Sequence, residues 1–76
     1  MIKTEELIKG VKELGYGANL RNDYIQIIHD GFVAIVVHID VMYSITFYQT
    51  IKTSWENGDK LFGLITEYAK TPIGNR

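Results

Sequence analysis

The two histidines are the residues of this chain best suited to bind a metal ion or carry a proton. His29 directly precedes Asp30, and His38 stands two positions before Asp40. A protein metal site needs three or four ligands that converge on one point. In the hairpin predicted below, His29 lies at the turn and His38 near the opposite strand end, so the two do not converge. We predict no metal and no cofactor, and we interpret His38 as a half-buried hydrogen-bonding residue.

Nucleophilic catalysis lacks its usual components. There is no cysteine and no Gly-x-Ser-x-Gly motif, and neither Ser44 nor Ser54 has a histidine–carboxylate pair at recognisable spacing. Glu5 and Glu6 are neighbours on a predicted helix and therefore do not face each other. The Gly-x-Gly at 15–17 is too short for a phosphate-binding loop and is typical of a helix-to-strand turn. We predict that the chain is not an enzyme.

The size of the chain predicts a single domain, residues 1–76, that needs additional stabilisation. A chain of 76 residues buries only about 60% of the surface that its unfolded form exposes. Disulfides, a metal or a second copy are the usual supplements. Because the sequence contains no cysteine, the composition favours a homo-oligomer, most simply a dimer.

Charge and hydropathy argue against other classes of partner. Eight basic and nine acidic residues are scattered along the chain and leave a net charge of −1. Nucleic-acid-binding proteins normally carry a basic stripe, so nucleic acid is not an expected partner. No segment resembles a signal peptide or approaches the roughly 18 apolar residues of a membrane span. We expect a cytoplasmic protein without membrane contact.

The stretch Tyr24–Tyr48 organises the predicted fold. Asp30-Gly31 is a strong signal for a hairpin turn. A two-residue type I′ turn would pair His29 with Phe32, whereas a type I turn with a glycine bulge would pair Ile28 with Phe32. We predict the bulge, because a one-residue slip reverses every side chain and this register gives one face of β-branched residues. That face comprises Ile25, Ile27, Val33, Ile35, Val37 and Ile39.

A third strand follows a three-residue loop at 40–42 that pairs Ile39 with Tyr43. This pairing adds Tyr43, Ile45 and Phe47 to the core face. The opposite face then collects Tyr24, Gln26, Ile28, Phe32, Ala34, Val36, His38, Met42, Ser44, Thr46 and Tyr48. Seven of these eleven residues are apolar or aromatic, which is too many for a face left to water.

Two helices flank the strands. The first is predicted over 4–14, with Thr4 as its N-cap and Gly15 beyond its end. The second begins near Ser54 or, preferably, after Asn57, and runs to Lys70 before Pro72. A short first strand is predicted over 17–22, and residues 73–76 are predicted to be a frayed tail. The fold class is therefore α+β, an antiparallel three- to four-stranded β-meander in the order α-β-β-β-β-α.

The apolar second face predicts a protein–protein interface. Contiguous exposed apolar patches beyond a few hundred Å² usually mark such a surface, and aromatic residues and methionine are favoured in it. Trp55 is interpreted as a lid over the core edge, with a partner contact as the alternative. The predicted partner-binding residues are Tyr24, Ile28, Phe32, Val36, His38, Met42, Tyr48 and Trp55.

Two alternatives remain open at this point. One helix on each side of the sheet would cover both faces and give a monomer. A dimer that aligns Lys9, Lys12, Arg21 and Lys52 would instead give a nucleic-acid-binding accessory protein, with steeply salt-dependent binding.

Three segments also resemble a known group of proteins. They are a first helix ending in LGY, the hairpin YIQIIHDGFVAIV, and the ending KLFGLITEYAKTPIGNR, with Thr71, Pro72, Ile73 and Arg76. Together they are similar to small phage and prophage proteins of low-GC Gram-positive bacteria. The resemblance implies a cytoplasmic setting in a bacterial host and adds a possible host partner, for example a defence protein that the chain would inhibit. It implies no activity.

Overall fold

Four antiparallel strands form one sheet in which each strand pairs with its neighbour along the chain. The computed structural model describes residues 1–76. The elements are α1 (Thr4–Glu13), β1 (Gly17–Leu20), β2 (Tyr24–His29), β3 (Phe32–His38), β4 (Ile45–Phe47), α2 (Gly58–Lys70) and a terminal 3-10 turn (Ile73–Asn75). The predicted α-β-β-β-β-α meander, including its short first strand, is confirmed.

The N-cap of helix α1 lies one residue before the predicted N-cap, Thr4. Lys3 is the N-cap, and its backbone N–H donates to the Glu6 carboxylate at 3.0 Å. Thr4 is the first helical residue, and its hydroxyl hydrogen-bonds the Tyr68 hydroxyl at 2.8 Å. The prediction of Thr4 as N-cap is wrong because its hydroxyl is engaged by α2 and does not bond the helix backbone.

The β2–β3 turn is a two-residue type I′ turn. Asp30 and Gly31 both have positive φ, 52° and 83°, as this turn requires. His29 consequently lies opposite Phe32. The predicted glycine bulge at the turn is wrong, because aspartate tolerates the left-handed conformation well enough for the tighter turn to form.

The bulge lies further along β3. Ile28 is opposite Val33 but Ile27 is opposite Ile35, so Ala34 is the additional residue. Beyond it the predicted core face is confirmed, since Ile25 and Ile27 lie opposite Val37 and Ile35. Three predictions at the hairpin tip are wrong. Ala34 is fully buried in the core cluster and does not lie on the opposite face. Val33 shares the face of Ile28, away from the core, and Phe32 shares the face of His29.

Strand β4 pairs with β3 in the predicted register, in which Ile45 lies opposite Val37 and Phe47 opposite Ile35. Tyr43 does not extend the core face. It has a positive φ of 59° and is 70% exposed, because the chain turns sharply there and its N–H donates to the Ala69 carbonyl at 3.0 Å.

Both helices pack on the same face of the sheet. A single buried cluster joins α1 and α2 to the sheet, and its members include Leu7, Val11, Ile25, Ile27, Ile35, Val37, Leu61, Ile65 and Tyr68. The helices also approach each other closely, since a Cβ added at Gly10 would lie 2.7 Å from a Leu64 methyl carbon. The alternative in which one helix covers each face is therefore wrong.

Helix α2 begins after Asn57, as preferred from the sequence. Asn57 has a left-handed φ of 59°, and its side-chain amide donates to the Leu14 carbonyl at 3.4 Å. This contact ties the start of α2 to the end of α1. Neither helix has the length and apolar character needed to cross a membrane.

The predicted fraying of residues 73–76 is wrong, because Arg76 anchors the tail. Its guanidinium carbon lies 4.4 Å from the centroid of the Tyr68 ring. The guanidinium N–H groups donate to the carbonyls of Ile39 (2.7 Å), Thr71 (2.9 Å), His38 (3.0 Å) and Ala69 (3.1 Å). The Arg76 carbonyl accepts from the Thr4 N–H at 3.3 Å. Arg76 thus joins the end of β3, the end of α2 and the start of α1.

Candidate interaction surface

The sheet face opposite the helices is a surface that no element of this chain covers. We call it the open face, and it comprises Tyr24, Gln26, Ile28, Val33, Val36, His38, Thr46 and Tyr48. Except for Ile28, these residues line a shallow depression of about 460 Å³. Ile28 belongs to the face because it lies opposite Val33.

The open face contains five of the predicted partner-binding residues, namely Tyr24, Ile28, Val36, His38 and Tyr48. Val36 lies at its centre, between Gln26 and Thr46 of the neighbouring strands. Tyr48 is the most prominent aromatic residue, with 67% of its surface exposed. At the opposite side the Tyr24 and His38 rings lie 6.1 Å apart. The sequence-based assignment of this face is correct for its strand interiors.

Three predicted partner-binding residues lie elsewhere. Phe32 is at the hairpin tip on the face of His29, with 70% of its surface exposed. Met42 is half-buried in the loop between β3 and β4. Trp55 lies on the helix side, packed against the core. Val33 belongs to the open face but was missed, and the type I′ preference of Asp-Gly was the signal that could have placed it there.

Trp55 closes the core edge together with two other rings. It stacks on His29 with 3.9 Å between ring centroids, and Tyr16 lies 5.6 Å from His29 and 6.0 Å from Trp55. The Tyr16 hydroxyl donates to the Glu56 carbonyl at 2.7 Å. His29 also lies 3.3 Å from the Asp30 carboxylate. The cluster fixes the segment that leads into α2, which agrees with the lid interpretation of Trp55.

The environment of Tyr16 predicts an alkaline dependence of stability. Burial, and then the charges of Glu56 and Asp30, raise the pKa of its hydroxyl above the ordinary 10.0. Because the folded state disfavours the phenolate, this contribution to stability is present below pH 10 and is lost as the pH rises through the raised pKa. Between pH 10 and the raised pKa of Tyr16, we expect the free energy of unfolding of Tyr16→Phe to fall less with pH than that of wild type, as measured by urea unfolding. Equal slopes for the two proteins in that range would contradict the assignment.

A second concavity lies on the helix side, between β4 and the start of α2. This β4 groove has a volume of about 640 Å³ and is lined by Phe47, Thr50, Ile51, Lys52, Thr53, Trp55, Gly58, Asp59 and Phe62. The Phe47 and Phe62 rings stack 6.3 Å apart and are 43% and 49% exposed. The sequence placed Phe47 in the core, so the groove between these two rings was not foreseen.

Polar clusters give no comparable site. No three histidine, aspartate or glutamate side chains lie close enough together to hold a metal ion. Lys9 and Lys12 share a shallow surface with Glu5 and Glu13, so the exposed side of α1 is mixed in charge and is not a basic stripe. The open face therefore remains the strongest candidate.

Comparison with protein-family models, with curated proteins and with solved structures finds no match to this chain. The geometry of the open face is thus the basis for the function proposed below.

Proposed function

We propose that this chain is a non-enzymatic interaction protein that forms a homodimer by packing the open faces of two copies together. The observation that carries the proposal is that both helices cover one side of the sheet and leave an apolar, partly aromatic side uncovered. Tyrosine is enriched in the centres of interfaces, and Tyr24 and Tyr48 are the anchors we assign.

The size of the chain supports a contact of this kind. A standard interface takes about 800 Å² from each partner, and the whole chain exposes 4704 Å². Such a contact would therefore cover roughly one sixth of the exposed surface of the chain. Burying the open face would also extend a core that is small for an independently stable domain.

The charge distribution supports a second copy as the occupant. The open face contains no aspartate, glutamate, lysine or arginine, and His38 is its only residue with an ionisable imidazole. Two copies can therefore meet without like charges in contact. Arg21 lies beside the face, where its Nε donates to the Gln26 side chain at 3.0 Å.

Tyr48→Asp tests the proposal directly. It places a charge at the most exposed aromatic position of the open face without changing the core. We expect a wild-type mass above the 8.7 kDa of one chain, and a lower mean mass for Tyr48→Asp at every concentration, because a buried unpaired carboxylate is strongly unfavourable. Light scattering over a concentration series measures the difference, with circular dichroism to verify folding.

Phe32→Asp is the matched control. Phe32 is as exposed as Tyr48, 70% against 67%, but it lies on the other face at the hairpin tip. We expect its mass to equal that of wild type. A wild-type protein that is monomeric at all concentrations, or equal masses for wild type and Tyr48→Asp, would overturn the proposed dimer.

A further inference from the structure

Strand β4 is an edge strand whose outer backbone has no partner in the sheet. On its inner side, the Ser44 carbonyl accepts from the His38 N–H at 3.2 Å and the Tyr48 N–H donates to the Ala34 carbonyl at 2.8 Å. Because alternate residues of a strand direct their backbone groups to opposite sides, Ile45 and Phe47 direct their N–H and C=O groups outward. The outer edge therefore offers two donors and two acceptors to another extended strand.

Apart from its short length of three residues, this edge lacks the usual protection against pairing with another strand. Natural edges carry charges, prolines or bulges that prevent it. Residues 42–51 contain no charged residue and no proline. At the other edge of the sheet, β1 is followed directly by Arg21. The β4 edge is thus the one suited to receive a strand.

We infer that the β4 edge pairs antiparallel with the β4 edge of a second copy, about a two-fold axis at Thr46. In this register Ile45 of each copy exchanges both backbone hydrogen bonds with Phe47 of the other. Thr46 lies opposite Thr46. The two sheets then form one continuous eight-stranded sheet with all helices on the same side.

The side chains of this register are complementary to themselves. Aromatic residues opposite β-branched residues, and threonine opposite threonine, are favourable cross-strand pairs. The two-fold pairing produces Phe47 opposite Ile45 on the helix side, and Thr46 opposite Thr46 on the other. It also brings together the two β4 grooves, in each of which Phe47 and Phe62 are half-exposed.

The charges that line the β4 groove are complementary to those of a second copy. The only charged residues that line the β4 groove are Lys52 and Asp59, one of each sign. Two copies therefore bring lysines and aspartates to the interface in equal number. An isologous contact of this kind closes after two copies, so the edge alone does not lead to an open fibre.

The edge pairing uses the backbone of β4, whereas the open-face contact uses side chains that include Thr46. The edge is therefore tested in a protein whose open face is disabled. In Tyr48→Asp, which disables the open face, the edge pairing predicts a species of twice the monomer mass at high concentration. Adding Thr46→Lys to that protein places two like charges directly opposite each other. We expect the double variant to be monomeric, a twofold fall in mass measured by sedimentation equilibrium.

Mixing provides the decisive control. In the Tyr48→Asp background, Thr46→Lys copies mixed with Thr46→Glu copies should form a heterodimer, because only this register places residue 46 opposite itself. Leu20→Lys, at an exposed position of the β1 edge, should leave the mass of Tyr48→Asp unchanged.

Three results would overturn the edge pairing. They are a monomeric Tyr48→Asp, a Thr46→Lys addition without effect on mass, and a mixture that stays monomeric. The open-face proposal is judged separately, by whether Tyr48→Asp differs from wild type.

Discussion

Replacing Ile27 by alanine should lower the free energy of unfolding by about 3 kcal/mol, whereas the same change at Ile28 should cost about 1 kcal/mol or less in the monomer. Deleting buried methyl groups of isoleucine costs about 2–5 kcal/mol, because a cavity remains. Ile27 is fully buried between the sheet and the helices, opposite Ala18 and Ile35. Ile28, its neighbour in the chain, lies half-buried on the open face.

The comparison is informative because both residues are isoleucines of strand β2. A domain of this length is stable by roughly 4–11 kcal/mol, so the loss at Ile27 removes a large share of it. Urea unfolding in the Tyr48→Asp background measures both variants without a contribution from open-face association. Similar losses for Ile27→Ala and Ile28→Ala would show that the second face is packed as core, against the structure described above.

The two faces were predictable because burial determines them in the strand interiors. The β-branched residues at 25, 27, 35 and 37 fit one packed surface, and the side-chain period of two leaves the alternate residues on the other. Tyr24, Val36 and Tyr48 were placed correctly by this rule. Whether both helices cover the same side of the sheet was not predictable. Both helices are amphipathic, and their apolar stripes are buried whether they lie on one side or on opposite sides.

The register at the hairpin tip could not be predicted from the turn alone or from burial alone, because these two preferences conflict there. Asp30-Gly31 favours the type I′ turn, which pairs His29 with Phe32. Burial in the strand interior requires Ile27 to face Ile35, which is one residue out of step with that turn. The structure satisfies both by inserting Ala34, small enough to be fully buried at the bulge. Val33 and Phe32, between the turn and the bulge, therefore exchanged faces relative to the prediction.

Contacts between segments that are distant in the chain could not be predicted from the sequence pattern. Trp55 stacks on His29, which lies 26 positions earlier in the chain, because the hairpin turn and the start of α2 lie side by side. The β4 groove arises in the same way, from Phe47 and Phe62 on separate elements. Periodicity identifies each element and its apolar side, but it does not indicate which ends of the elements contact each other.

Arg76→Ala should be among the most destabilising single changes outside the core, with a loss of about 2–3 kcal/mol. Hydrogen bonds from a charged group contribute about 1.5–3 kcal/mol, and the guanidinium also covers the Tyr68 ring. The change leaves the carbonyls of His38 and Ile39 at the end of β3 without this donor. For a domain of this size the loss corresponds to a fall in Tm of about 10 °C or more, which thermal unfolding by circular dichroism measures.

Arg76→Lys and Arg21→Ala make the cause of the loss identifiable. A lysine ammonium cannot reproduce the planar guanidinium fork, so Arg76→Lys should recover only part of the lost stability. Arg21 is an exposed arginine with one side-chain hydrogen bond, to Gln26, and its removal should cost well under 1 kcal/mol.

Hydrogen exchange adds a local measurement. The Ile39 and Tyr43 amides, which donate to Asp23 and Ala69, should exchange faster in Arg76→Ala than the amides of β2. An Arg76→Ala protein as stable as Arg21→Ala, with unchanged exchange at these two amides, would mean that the tail does not anchor the end of β3.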